Sequence, residues 1–213
     1  DTAGVRKKSK IKENIEKFSI TRTMLAIERA DVCLLLIDAN DGVTEQDTKI
    51  AGEAHEAGKG VIIVVNKWDE IEKTTGTLEQ YKKEVYAKLA YLTYAPMIFI
   101  SAKTGQRVEK LFTMINQVAE ENSKRISTSV INQVINEAIA LVQPPTDKGK
   151  RLKIFYGTQG TTKPPTFVIF VNNKSLFHFS YERYLINQFR KEFGFIGTPI
   201  RIIIREKSEK EFN

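Results

Sequence analysis

The stretch Val61–Asp69, with the sequence VIIVVNKWD, joins five consecutive apolar residues to a polar turn. An apolar run of this length without polar alternation predicts a parallel strand that helices bury on both faces. In open parallel sheets, ligands bind beyond the carboxyl ends of the strands. Asn66, Lys67 and Asp69 therefore lie where such a sheet would carry a binding site.

Two further apolar runs, Val32–Ile37 and Met97–Ile100, predict the neighbouring strands. Helical patterns over residues 45–57 and 78–92 separate the three strands, which predicts an α/β unit with helices on both faces of a parallel sheet. Polar or small residues follow each strand. The predicted site would therefore draw on three loops at one edge of the sheet.

The polar turn after the central strand has the chemistry needed to read guanine. A carboxylate at Asp69 can accept hydrogen bonds from guanine N1–H and the 2-amino group, a donor pair that adenine lacks. Asn66 can tie the loop together, and the stem of Lys67 can lie along the purine. A solvated polar turn is the alternative for an isolated match. The turn after the next strand favours guanine, because a backbone N–H there can reach the guanine carbonyl; its residues are Ser101, Ala102 and Lys103.

The first residues carry a third motif, Asp-x-x-Gly, formed by Asp1, Thr2, Ala3 and Gly4. An aspartate can hold Mg²⁺ through water, and a glycine lets its backbone N–H approach a terminal phosphate. Val5 follows this glycine; its apolar side chain cannot orient a water molecule, so it is named as a switch residue without a catalytic role. No Gly-x-x-x-x-Gly-Lys-Ser/Thr phosphate loop occurs in the 213 residues. We therefore expect that loop and its strands to precede Asp1.

The second segment differs in pattern and charge. Residues 126–213 contain 13 Lys and Arg against 7 Asp and Glu, and they carry most of the net charge of +7. Their periodicity predicts the order helix, strand, strand, helix, strand, a small α+β unit with one buried sheet face. In the first of these strands, Leu152, Ile154 and Tyr156 are predicted on one face, alternating with Lys153 and Phe155. Gly157-Thr158-Gln159-Gly160 could be an RNA-clamping Gly-x-x-Gly loop, but a turn after a strand is the favoured interpretation.

Basic residues offer candidate RNA contacts, although a solvated surface or a surface packed on another domain would use the same residues. Those near the Asp-x-x-Gly motif are Arg6, Lys7 and Lys8, and those in the second segment are Lys148, Lys150, Arg151, Lys153, Arg201 and Arg205.

The order of these motifs, together with KPPTF at 163–167 and FHFSYER at 177–183, resembles the Der (EngA) family of bacterial ribosome-assembly GTPases. The resemblance implies a partial P-loop GTPase domain over residues 1–122 and a KH-like domain over residues 123–213. It further implies GTP or GDP as ligand, Mg²⁺, a K⁺ ion, GTP hydrolysis, and work on the large (50S) ribosomal subunit and its RNA. Further GTPase domains, preceding Asp1, would be partners within the same protein.

Two expectations limit this interpretation. Without a phosphate loop the 213 residues alone should not turn GTP over, and a non-enzymatic RNA- or ribosome-binding module with a GTPase scaffold remains the alternative. Cys33 is the single cysteine, and the apolar runs are far shorter than a membrane span. We therefore expect a cytoplasmic protein.

Overall fold

The structure, a computed structural model, describes residues 21–147 and 149–207, with the side chain of residue 147 excepted. The motif Asp1–Gly4, Val5, the basic residues Arg6, Lys7 and Lys8, and Lys148 lie outside the described residues. The chain divides into two compact units between Ala119 and Glu120. Each unit is described by itself.

The first unit alternates helices and strands, as the apolar runs predicted. Helix α1 covers residues 21–29, and the elements that follow are β1 (Val32–Asp38), α2 (Glu45–Glu56), β2 (Gly60–Asn66), α3 (Thr77–Lys88), a 3₁₀ turn (Ala90–Leu92), β3 (Met97–Phe99) and α4 (Val108–Ser123). The strands form a parallel sheet in the order β1-β2-β3. The predicted α/β class is confirmed.

Strand β2 lies at the centre of this sheet, and its side chains at 61–65 are at most 1% exposed. Val61, Ile63 and Val65 pack in one apolar cluster with residues of α1, α2 and α3. Ile62 and Val64 pack in a second cluster with residues of α4 on the opposite face. Burial on both faces explains why the run lacks polar alternation.

The predicted single helix over 78–92 is wrong at its C-terminal end. Helix α3 ends at Lys88, and a separate 3₁₀ turn follows. Leu89 has φ −115° and ψ 47°, outside the α-helical region, so the α-helical hydrogen-bond pattern cannot continue through it.

The second unit follows the predicted order, with one short hairpin added. Its elements are α5 (Thr128–Leu141), β4 (Thr146–Asp147), β5 (Lys150–Arg151), β6 (Ile154–Thr161), β7 (Thr166–Val171), a 3₁₀ turn (Lys174–Leu176), α6 (Phe179–Phe193) and β8 (Arg201–Glu206). Strand β7 is central, antiparallel to β6 and parallel to β8. Helix α6 ends at Gly194, whose φ of +88° suits a residue without a side chain.

The predicted alternation along β6 is wrong at Tyr156. Leu152 and Ile154 pack against the core of this unit, and Tyr156 was expected on the same face. The pairing with β7 shifts between Ile154 and Tyr156, as a β-bulge does, and Tyr156 lies opposite Phe170. The extra residue turns the Tyr156 ring to the other face of the sheet.

Gly157-Thr158-Gln159-Gly160 forms neither the clamping loop nor the turn considered for it. All four residues lie inside β6; Gly157, Thr158 and Gln159 pair with β7, and Gly160 lies at a second register shift between Gln159 and Thr161. A Cβ on Gly157 would lie 2.6 Å from Ile135 Cδ1 and 2.7 Å from Ile169 Cδ1. This glycine lets α5 pack closely on the strand.

None of the helices within residues 21–147 and 149–207 combines the length and the apolar character that crossing a membrane requires.

Phe167→Ala should lower the free energy of unfolding of the second unit by about 3–5 kcal/mol, because it leaves a cavity. Phe167 is fully buried, and its ring contacts the rings of Phe189 and Phe195. Phe179→Ala is the matched control, since Phe179 is 70% exposed, and it should change stability by no more than about 0.5 kcal/mol. Chemical denaturation followed by circular dichroism measures both. Equal losses for the two variants would contradict the assigned core.

Candidate functional site

The carboxyl ends of the three parallel strands meet at one edge of the first unit. Asp38 pairs with Asn66 in the register of β1 and β2. Just beyond the strands, Ala39 N–H donates to Asn66 O at 2.9 Å and Trp68 N–H donates to Ile100 O at 3.0 Å. The backbone ladder thus continues into the loops and holds the three turns side by side.

Asn66 ties two of these turns together through its side chain. Its Oδ1 accepts a hydrogen bond from Ala102 N–H at 2.9 Å. Ser101 N–H donates to Gln106 O at 3.2 Å, so two of the three amides from Ser101 to Lys103 are engaged within the protein. The remaining amide, that of Lys103, has no acceptor among the described residues. It is the available backbone donor for a ligand oxygen.

Asp69 is half-buried, and its carboxylate accepts a hydrogen bond from the Ser101 hydroxyl. This bond lowers the pKa of Asp69 more than any other contact does, and the positive charges of Lys103 and Lys73 add to the effect, while desolvation opposes it. Among the described residues no group donates to Asp69 Oδ1, although that oxygen is buried. A buried acceptor without a partner is costly, which suits an oxygen that meets the donors of a bound ligand.

Lys67 turns the chain after β2 and lies beside Asp38. Its φ of +62° is uncommon for a residue with a side chain. Its ammonium forms an ion pair with Asp38, which raises the pKa of Lys67 and lowers that of Asp38. Asn40 Nδ2 donates to Asp38 at 3.3 Å and to Glu70 at 2.8 Å, linking the turn after β1 to the turn after β2.

Two features of the site escaped the sequence-based prediction. Trp68 is buried between Tyr81 and Phe99, with ring centroids 5.4 and 4.4 Å away, and it anchors the turn on the core. A large aromatic residue amid polar neighbours was the available signal. The pairing of Lys67 with Asp38 had no local signal, because the two residues are far apart in sequence.

The structure brings the predicted base-reading residues Asn66, Lys67, Asp69, Ser101, Ala102 and Lys103 to one edge. Their roles toward a nucleotide stay predictions. The predicted phosphate- and Mg²⁺-binding residues Asp1, Thr2, Ala3 and Gly4, and the switch residue Val5, lie outside the described part of the chain. Within that part, no three His, Cys, Asp or Glu side chains are grouped as a metal site would need.

The predicted RNA contacts of the second unit fall in two places. Lys150 and Arg151 form the exposed strand β5, close in sequence to exposed Lys153. Arg201 and Arg205 are exposed on β8. Lys150 and Arg151 therefore belong to a different sheet from Arg201 and Arg205.

Both units match the models of known protein families. Residues 16–121 match the elongation factor Tu GTP-binding domain, and residues 125–205 match the KH-domain-like C-terminal domain of EngA bacterial GTPase enzymes. The GTPase Der of Acetivibrio thermocellus is 66% identical over 211 residues, which cover 99% of this chain and 48% of that protein. The chain belongs to the Der GTPase family.

A second Der relative agrees with this family assignment. The GTPase Der of Ruminiclostridium cellulolyticum is 65% identical over 99% of this chain and 48% of its own length. The chain thus spans about half the length of the Der proteins it matches. A crystal structure of Era with MgGDPNP and nucleotides 1506–1542 of 16S ribosomal RNA is 18% identical, covering 99% of this chain and 76% of that one at a TM-score of 0.49.

Ser101→Ala should raise the pKa of Asp69, because it removes the hydrogen bond that lowers this pKa most. A depressed carboxyl pKa stabilises the fold at neutral pH, and the contribution is lost as pH falls below the ordinary value of 3.8. The variant should therefore lose less stability on acidification than the parent chain. NMR titration of the side-chain carboxyl carbons measures the shift.

The same spectra contain an internal control. The pKa of Asp38 should stay unchanged in Ser101→Ala, since the hydrogen bond with Lys67 is the main cause of the lowered pKa of Asp38. Lys67→Ala should raise the pKa of Asp38 and leave that of Asp69 in place. Parallel shifts of both carboxyls in either variant would contradict the assigned partners.

Proposed function

We propose that this chain supplies guanine recognition, and that the protein containing it binds GTP and GDP and hydrolyses GTP. The observation that carries the proposal is a pair of hydrogen bonds between the turns after β2 and β3. Asn66 Oδ1 accepts from Ala102 N–H, and the Ser101 hydroxyl donates to the Asp69 carboxylate. Membership of the Der family supports it, since the relatives are named GTPases.

The proposed role of each residue follows from the hydrogen-bond donors and acceptors at the carboxyl edge of the parallel sheet. Asp69 accepts from guanine N1–H and the 2-amino group, and its unpartnered Oδ1 gives the second acceptor. Lys103 N–H, or Ala102 N–H released by Asn66, donates to the guanine carbonyl. Lys67 is held by Asp38, which fixes the direction of the stem that would lie along the purine.

The expected difference in binding free energy between guanine and adenine is large enough to select the base. Adenine would leave the Asp69 carboxylate without its two donors, at a cost of about 1–3 kcal/mol. That cost corresponds to discrimination of about 5- to 150-fold between the bases.

We propose the remaining machinery from the family. Mg²⁺ would be held through water by Asp1, with Gly4 near the terminal phosphate and K⁺ assisting where Val5 cannot orient water. The sequence has no Gly-x-x-x-x-Gly-Lys-Ser/Thr loop. We therefore propose that turnover needs a phosphate-binding segment that this sequence does not include.

The proposed setting is maturation of the large ribosomal subunit in the cytoplasm. Residues 1–122 would act as the nucleotide domain and residues 123–213 as the KH-like domain that contacts ribosomal RNA. The surplus of basic residues in the second segment supports a polyanionic partner. The single cysteine supports a reducing compartment.

Asp69→Asn should weaken GDP binding and increase tolerance of xanthosine diphosphate, because an amide can donate where the xanthine 2-oxygen needs a donor. Competition titrations with the two nucleotides measure this in a chain extended before Asp1 to include a phosphate loop. Unchanged base preference would refute the role of Asp69.

Asp41→Asn is the matched control, because Asp41 is exposed in the turn after β1 and outside the proposed contacts. It should bind both nucleotides like the parent. If the extended parent chain binds neither GTP nor GDP, the GTPase proposal is lost and the non-enzymatic RNA-binding module replaces it.

A further inference from the structure

The proposed RNA contact of the second unit needs a surface, and the Gly-x-x-Gly loop that was considered as an alternative does not form. Gly157 and Gly160 lie inside β6, where Gly157 pairs with Ile169 of β7 and Gly160 lies at a register shift between the paired residues Gln159 and Thr161. A Gly-x-x-Gly clamp joins two helices and presents its backbone to the nucleic acid, which a paired strand cannot do. Within the described residues, a different face must therefore carry any RNA contact.

The three-stranded sheet has an outer face, opposite to the face that α5 and α6 cover. On β7, Phe167, Ile169 and Val171 are fully buried toward the helices, so Val168 and Phe170 point outward. On β8, Ile202 and Ile204 pack against the core. The residues that alternate with them on the outer face of β8 are Arg201, Ile203 and Arg205.

An aromatic pair lies in the middle of this outer face. Tyr156 on β6 is opposite Phe170 on β7, and their rings stack with centroids 4.4 Å apart at 15°. In the same row, Phe170 is opposite Arg205 on β8. Ile203 adds an apolar side chain that is 46% exposed. The bulge in β6 creates the pair, because it turns Tyr156 outward.

Cationic side chains accompany the rings. The Lys207 ammonium lies 5.7 Å from the centroid of the Tyr156 ring, and Arg205 is exposed beside Phe170. Glu206 pairs with inward-pointing Val171 and accepts from Lys174 N–H at 2.7 Å, away from this face. Among the described residues, the outward positions of β7 and β8 carry no acidic side chain.

We propose that the outer face of the β6-β7-β8 sheet is a binding site for single-stranded RNA. Unpaired bases stack on the Tyr156 and Phe170 rings, and Arg201, Arg205 and Lys207 contact the phosphates. A duplex hides its bases, so the aromatic pair selects single strands. The combination of stacked rings with neighbouring cationic side chains favours RNA over a protein partner, because RNA supplies both bases that stack on rings and phosphates that attract cations. This inference rests on the proposed RNA association, and it is independent of the nucleotide site.

Fluorescence anisotropy with a labelled single-stranded 12-nucleotide RNA, against a duplex of equal length, tests the proposal on the full chain. Phe170→Leu keeps an apolar side chain but removes the ring, and it should weaken single-strand binding about fivefold or more. Arg205→Ala should reduce the slope of log K against log salt by about 1. Both variants should retain the circular dichroism spectrum of the parent.

Matched changes on helix α6 provide controls in the same unit. Phe179→Leu alters an exposed ring, and Arg183→Ala removes the cation over that ring. Both should bind RNA like the parent chain. Binding lost in the α6 variants but kept in Phe170→Leu and Arg205→Ala would overturn the sheet-face site while leaving RNA association in place.

Absence of RNA binding by the parent chain would overturn both the site and the RNA association. Hydrogen exchange then shows whether the outer face of the sheet contacts protein instead of RNA. Protection of β8 amides that appears only in a longer chain, without RNA, would assign the face to a protein contact.

Discussion

Burial of β2 on both faces is the constraint from which the first unit follows. Its five apolar side chains are at most 1% exposed, and they divide between two separate clusters of packed helices. A strand in this position has neighbours on both edges, and the residue after its last buried position must emerge at the carboxyl edge of the sheet. Asn66 is that residue, and its bond to Ala102 joins the turns that form the candidate site. The proposed guanine recognition therefore depends on the same packing that stabilises the fold.

Those parts of the fold that depend on local pattern could be predicted from the sequence. The strands β1, β2 and β3 were predictable because each is a continuous apolar run between helical patterns. The end of α6 was predictable because Gly194 has the backbone freedom that helix termination favours. The candidate site was predictable in outline, since strand-end position is a topological consequence of parallel strands.

The remainder depends on contacts between distant residues. The ion pair of Lys67 with Asp38 and the burial of Trp68 arise only when β1, β2 and α3 are assembled. In the second unit, periodicity placed Tyr156 with Ile154, but a bulge shifts the register by one residue and reverses its face. One inserted residue thus converts an expected core side chain into part of an aromatic outer surface. Likewise, Gly157 was read as a loop residue, whereas its small size serves the packing of α5.

A crystal structure of an N-terminally extended chain with bound GDP tests the central claim most directly. The account predicts that both Asp69 carboxylate oxygens lie within about 3 Å of guanine N1 and the 2-amino nitrogen, with a backbone amide of Ala102 or Lys103 on the carbonyl oxygen. It also predicts that the Lys67 stem lies along the purine. A guanine base bound elsewhere, or an Asp69 Oδ1 that stays buried without a donor while GDP is bound, would contradict it.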